Sequence, residues 1–267
     1  MGKFLVTVIP DFSAGAATGS AYSDNDILFS WTKFDLPKGA AELKTIQATI
    51  AGTNGAAGNT HDMSLYFAKA IDGVAPPNFG TIHAAMTAKL SNTFRRNLIG
   101  YKLLDLSAID DTDHLIAYNA LGSVSTVAAV ESKPNLILQG DDTPFAADGT
   151  YTATPTGYQS IWVAAIAHGA FDFGTDIQLN QSGNQDAVTP PTTITIEQGS
   201  AGAGVANSSF SVGDILIGAT GGPTMEVTDM VAGTATSLTV KNVSEQIDNN
   251  EELVLKYPLR LHLGFEY

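Results

Sequence analysis

Between Leu259 and Phe265 every second residue is apolar, with Arg260, His262 and Gly264 standing between Leu259, Leu261, Leu263 and Phe265. A strict period of two marks a strand with one buried face, because successive side chains leave a strand on opposite sides. The same period recurs along the whole 267-residue chain, broken by clusters of Gly, Asn, Asp and Ser. The N-terminal run from Met1 to Pro10 reads as a first strand. In Asp26 to Phe34 the residues Ile27, Phe29 and Trp31 share one face, with Ser30 and Thr32 opposite. Thr45 to Ala51, Met63 to Ala68, Leu98 to Leu104, His114 to Leu121, Asn135 to Gln139 and Ser160 to Ile166 continue the series, and Gly52 to Asn59 reads as a loop. Helix is scarce. Thr81 to Leu90 alone offers four-residue spacing, through Ile82, Met86 and Leu90, and predicts one short helix over a sheet edge. Many short strands joined by turn-rich loops predict an all-β chain, and a jelly-roll-like β-sandwich of two packed sheets fits them best.

The last third departs from that plan. Gln181 to Pro191 is polar and closes on the pair Pro190-Pro191, which is linker composition. Beyond it Thr193 to Glu197, Asp214 to Gly218, Thr224 to Met230, Ser237 to Val243 and Glu252 to Leu255 make about five short strands, the number of a compact SH3-like or OB-like β-barrel. Phe173 to Asn180 stands before this unit and Leu259 to Phe265 after it, and both alternate. The expectation is that those two strands pair and that the barrel is an insertion at 182–256 in a sandwich made of 1–181 plus 257–267. Insertions at an exposed hairpin tip leave the host ladder intact. A simple tandem arrangement is the rival.

Charge and cysteine content exclude several classes. Asp and Glu outnumber Lys and Arg by 27 to 13, for a formal charge of −14. Phosphate-backbone binding needs clustered cations, so nucleic acid is not an expected partner. With no cysteine the chain has neither a disulfide scaffold nor a thiolate metal site. The apolar run at the N-terminus stops at Pro10-Asp11, near the minimum for a signal sequence, and Val6 stands where myristoylation expects Ser or Thr. No window approaches the roughly 18 apolar residues of a membrane span, so no membrane partner is expected.

Chemical motifs are equally sparse. His61, His83, His114, His168 and His262 form no pair at metal-ligand spacing. His114 follows the acidic run Asp110-Asp111-Thr112-Asp113, which reads as a solvated turn. Asp141-Asp142-Thr143-Pro144-Phe145-Ala146-Ala147-Asp148-Gly149 lacks the ligand spacing of a calcium loop, and Asp24-Asn25-Asp26 is a small cluster of turn type. Gly199 to Gly204 is Gly-rich without the lysine or helix that would hold a phosphate, and reads as a loop tip. There is no Gly-x-Ser-x-Gly elbow. Asn180, Asn207 and Asn242 open glycosylation triplets with no signal segment to make them relevant. Trp31 and Trp162 are expected in the core; Tyr151, Tyr158 and Phe145 are the candidates for an exposed aromatic set. No catalytic residue, metal ligand or cofactor follows, and a glycan-cleaving enzyme would need paired carboxylates across a groove.

Phe210-Ser211-Val212-Gly213-Asp214-Ile215-Leu216-Ile217-Gly218-Ala219-Thr220-Gly221-Gly222-Pro223-Thr224-Met225-Glu226-Val227-Thr228 resembles the small barrel repeat of tailed-bacteriophage virion proteins, in which a Val-Gly-Asp turn leads into a strand and a Gly-rich hairpin. The first 180 residues are similar to jelly-roll capsid decoration or cement proteins, through Phe29 to Ala40 and Ser64 to Lys69. The resemblance implies a non-enzymatic protein on the capsid exterior, with the major capsid protein as partner and with itself as a homotrimer or other oligomer. It also implies that the barrel projects outward. A receptor- or carbohydrate-binding module of a phage tail or baseplate is the alternative.

Overall fold

The computed structural model describes residues 2–12, 21–52, 62–104, 110–111, 115–119, 135–141, 157–173, 177–180, 182–198, 210–218, 222–231 and 236–267. His61, His114, Phe145, Tyr151, the loop Gly199 to Gly204 and most of the 141–149 run lie outside the described residues.

Nine segments carry the alternation into a sandwich: β1 (Lys3–Val8), β2 (Ile27–Pro37), β3 (Ala41–Ala51), β4 (Asp62–Lys69), β5 (Leu98–Leu104), β6 (Asp110–Asp111), β7 (Leu115–Asn119), β8 (Leu136–Leu138) and β9 (Tyr158–His168). One sheet runs β1-β16-β3-β7-β6, where β16 is Leu259–Glu266 and β8 pairs with the start of β3; the other runs β2-β9-β4-β5. Every pairing is antiparallel. Taking β1, β2, β3, β4, β5, β7, β9 and β16 in chain order as the first to eighth strands, the sheets read 1-8-3-6 and 2-7-4-5. That is the strand order of a jelly roll, two interlocked Greek keys, which periodicity alone could not supply. The core between the sheets is one cluster, in which Val8, Leu43, Ile46, Ala48, Ile50, Leu261 and Leu263 meet Phe29, Leu36, Met63, Leu65, Phe67, Ile161 and Val163.

Ile27 and Trp31 do not share a face with Phe29. Register shifts between Ile27 and Phe29 and between Phe29 and Thr32 put Leu28 and Phe29 together into the main core, and turn Ile27 and Trp31 to the outer side of the second sheet. Bulges of this kind re-aim side chains that a regular period would place otherwise. The outer side is itself covered. The connection between β4 and β5 folds back across it, and Phe79 and Phe94 pack on Ile27, Ala164, Ile166 and Trp31. Within that connection the helix α1 spans Ala88–Phe94, not Thr81 to Leu90. His83 has φ +64°, outside the helical region, and the backbone there bonds to the strand instead: Ile27 N–H donates to Ala84 O and His83 N–H to Ile27 O.

The barrel strands are β10 (Ile177–Leu179), β11 (Thr192–Gln198), β12 (Ile215–Gly218), β13 (Thr224–Met230), β14 (Ser237–Lys241) and β15 (Glu252–Leu255), closed in the order β10-β11-β14-β13-β12-β15. The barrel therefore has six strands where about five were expected. Ile177 pairs with both Gln198 and Leu253, so β10 is the stave that closes the ring. Its expected pairing with Leu259 to Phe265 is not made, since both neighbours of β16 are sandwich strands. A division at 182 leaves β10 with the sandwich; its hydrogen bonds put it in the barrel. Ile177, Leu179, Ile194, Ile196, Leu216, Met225, Val227, Leu238, Val240 and Leu253 fill the barrel interior.

The two bodies meet beside the N-terminal segment. Phe12 N–H donates to Lys256 O, Lys256 Nζ lies 3.5 Å from Asp11, and Ala51 N–H donates to Pro258 O. Ala51 also packs on the barrel core.

Candidate functional site

A group of titratable and nucleophilic side chains lies on the outer side of the second sheet. β4 sends Met63, Leu65 and Phe67 into the main core, so Ser64 and Tyr66 point outward by the strand's period. Ser64 faces Ile166 on β9 and Leu103 on β5. Ser64 Oγ lies 2.6 Å from His168 Nε2 and 3.1 Å from the Tyr101 hydroxyl, and His168 Nδ1 lies 3.8 Å from Asp24 Oδ1. The Tyr66 and Tyr101 rings meet at 5.2 Å. Burial raises the Tyr66 hydroxyl pKa above its ordinary value, and Tyr101 adds to that.

This Ser-His-Asp order has the parts of a nucleophilic triad, and two features decide what it can do. Ser64 is 0% exposed. It also sits within a strand bonded on both sides, so its backbone belongs to the ladder and offers no cradle for an oxyanion. Access and oxyanion stabilisation are both requirements of acyl transfer. What the geometry supports is a relay that satisfies a buried hydroxyl: Ser64 is held between an imidazole and a phenol that both reach the surface. Sequence reading missed it, because Asp24, Ser64, Tyr101 and His168 are joined only by the sheet pairing.

The other predicted positions are scattered. His83 stacks on Tyr22 at 4.0 Å, and His262 Nδ1 lies 3.0 Å from Thr7 Oγ1. Asp26 accepts the Ser23 N–H, Asn25 Nδ2 donates to Asp24, and Asp141 accepts the Gly73 N–H. The Asp26 bond closes a turn, the Asn25 bond joins adjacent side chains, and the Asp141 bond ties two distant segments together. Among the described residues no three His, Asp or Glu side chains gather to hold a metal, and no helix is long and apolar enough to cross a membrane. Trp162 is buried against Ala68, Ala70 and Ala75, and Trp31 is half-buried with Nε1 donating to Pro77 O. Tyr158 is exposed, alone of its expected set among the described residues.

Two more sites were not anticipated. The Tyr22 hydroxyl is buried without a hydrogen-bond partner among the described residues, and burial, reinforced by Asp26, raises its pKa. On the barrel, a groove of about 350 Å³ is lined by Ala187, Val188, Thr189, Asn242, Val243 and Ser244. It offers hydroxyls, an amide and backbone, and no charge.

The segment Phe210 to Thr228 has a clear local logic. Asp214 Oδ2 accepts the Ser211 N–H at 2.8 Å and Asp214 N–H donates to Ser211 O, closing a turn at Gly213, whose φ of +96° suits a residue without Cβ. Gly213 N–H donates to Val227 O and Val227 N–H to Asp214 O, so the turn is stitched to β13 before β12 begins.

No protein-family model matches this chain, and comparison with curated proteins and with solved structures found no match.

Proposed function

We propose that this chain is a non-enzymatic virion structural protein, a capsid decoration or cement protein that binds capsomer junctions on the outside of the head as a homo-oligomer. The observation that carries the reading is the segment that resembles phage particle proteins. It forms one self-contained unit, the Asp214-closed turn followed by β12 and β13, within a closed barrel that stands between two strands of a jelly roll. Closed barrels and interlocked sheets stabilise a chain through pairing and apolar burial, which suits a structural component. Fold alone assigns no function, so the reading stands or falls with the particle. Quantifying the chain against the major capsid protein in purified particles tests it: a copy number that scales with capsomers is expected, and absence from particles overturns it.

One observation favours the alternative, a receptor- or carbohydrate-binding tail module. Tyr101 is half exposed beside His168 and Asp24, an aromatic face next to polar groups of the kind that sugars stack upon. A copy number fixed at that of a tail part, with glycan binding lost in Tyr101→Ala, is the result that reading requires.

A further inference from the structure

One long stretch of this acidic chain lacks a carboxylate side chain. Between Asp72 and Asp105 there is no Asp or Glu, yet the stretch carries Lys89, Arg95 and Arg96 in a chain whose net charge is −14. All three are exposed, and all three belong to α1 and the turn that follows it. Phe94 anchors that turn from beneath, its ring 5.0 Å from Phe79 and 5.5 Å from Trp31 over the outer side of the second sheet. Asn97 ties it to β4, with its N–H donating to Phe94 O and its Nδ2 to Lys69 O. The cations thus stand on a held platform. Arg95 Nη1 lies 3.5 Å from Asn92 Oδ1, a neutral amide, and among the described residues none of the three joins an ion pair.

The opposite charge is gathered on the barrel. Residues 177–256 hold nine carboxylates, and their two lysines are already engaged, Lys241 with Glu226 at 3.0 Å and Lys256 with Asp11 at 3.5 Å. At one end of the barrel Gln185 and Ile247 exchange both backbone bonds and Val188 pairs with Val243, which lays the two segments side by side. Exposed Asp186, Glu245 and Asp248 gather there. Asp186 accepts from Gln246 Nε2 and Asp248 from Asn184 Nδ2, and neutral amides leave both charges uncompensated. Within one copy the barrel joins the sandwich through Phe12, Ala51 and Pro258, whereas α1 lies on the outer side of the second sheet.

We infer that α1 and its following turn dock, head to tail, onto the Asp186, Glu245 and Asp248 end of the barrel of a second copy of this chain. The net charge of −14 drives whole copies apart, so copies approach where one presents its cations to the other's carboxylates. Such a contact uses two different patches, leaving each copy one patch for a further neighbour until the rotation closes a ring. It is also salt-sensitive, because exposed ion pairs are individually weak and the Debye length falls from about 10 Å at 0.1 M salt to about 3 Å at 1 M. The contact joins copies of this chain whether or not they sit on a particle.

Analytical ultracentrifugation of charge-reversed variants tests it. Wild type is expected to sediment above the monomer mass at about 0.1 M salt and as a monomer at about 1 M. Arg95→Glu with Arg96→Glu reverses the platform, and Asp186→Lys with Glu245→Lys reverses the barrel end. Each double variant alone is expected to self-associate about tenfold or more weakly at the lower salt, with unchanged circular dichroism, because like charges then face each other. An equimolar mixture of the two is expected to regain the wild-type mass, since the reversed platform of one meets the reversed barrel end of the other. Association that salt leaves unchanged, a folded double variant that associates like wild type, or a mixture that stays monomeric each overturns the inference. A wild type that is monomeric at both salt concentrations also overturns it, and leaves the platform to an anionic partner other than this chain. Should a double variant fail to fold, Lys89→Glu and the salt dependence of wild type decide, with weaker association expected from the first and its equality to wild type overturning the inference.

Discussion

Asp214 accepts the backbone N–H of Ser211 at 2.8 Å, and through that bond a half-buried carboxylate closes the turn that leads into β12. Burial pushes its carboxyl above the ordinary value, with the Ser211 N–H and the Arg260 charge opposing without cancelling it. The native chain therefore holds this proton more tightly than the unfolded chain. Stability from this group is fully present below the ordinary carboxylate pKa of about 4 and is lost as pH rises through the native value. Asp214→Asn keeps an oxygen for Ser211 and is expected to gain on wild type as pH leaves the carboxylate range, whereas Asp214→Ala loses about 1 kcal/mol for the bond itself. Thermal midpoints across that range check this; parallel profiles for wild type and Asp214→Asn contradict it.

Gly264 on β16 faces Thr45 on β3, and a Cβ at 264 would run into the Thr45 side chain. Gly264→Ala is expected to cost about 1–3 kcal/mol, the usual range for overpacking. Thr45→Ala in the same chain recovers most of it, because the clash is with Oγ1. Urea denaturation of the two single variants and the double variant measures the coupling; additive losses refute the contact.

Tyr22 buries a hydroxyl that bonds to none of the described residues while its ring packs on His83 and Phe173. Tyr22→Phe keeps the ring and removes the desolvation cost, so a gain of about 1 kcal/mol in unfolding free energy is expected. A comparable loss would mean that the hydroxyl is satisfied in solution.

Ser64 is shielded, so a fluorophosphonate probe is expected to leave it unlabelled at any pH where the chain is folded. Ser64→Ala strands two groups that can still reach water, and its expected cost is about 1 kcal/mol. Labelling by mass spectrometry at Ser64, lost on replacing His168, would show that the relay is a working nucleophile.

Strand content was the most legible part of the fold. Leu259 to Phe265 alternates cleanly, and it, Leu98 to Leu104 and Thr224 to Met230 are all strands. Strand partners were not legible, since alternation says which face is buried and nothing about which strand lies alongside. Ile177 to Leu179 shows this: its pattern suits either sheet, and only the closure of the barrel assigns it. The bulges around Leu28 and Phe29 hid the outer layer in the same way, and His83 broke a helix that spacing alone had predicted. The Ser64 relay left no signal in the sequence, because four residues from separate segments meet only after β4, β5 and β9 pair.

A reconstruction of purified particles tests the functional proposal most directly. The account predicts this two-body shape, jelly roll inward and six-stranded barrel outward, repeated over the head at capsomer junctions. Density for the chain confined to the tail, or particles that lack it altogether, would contradict it.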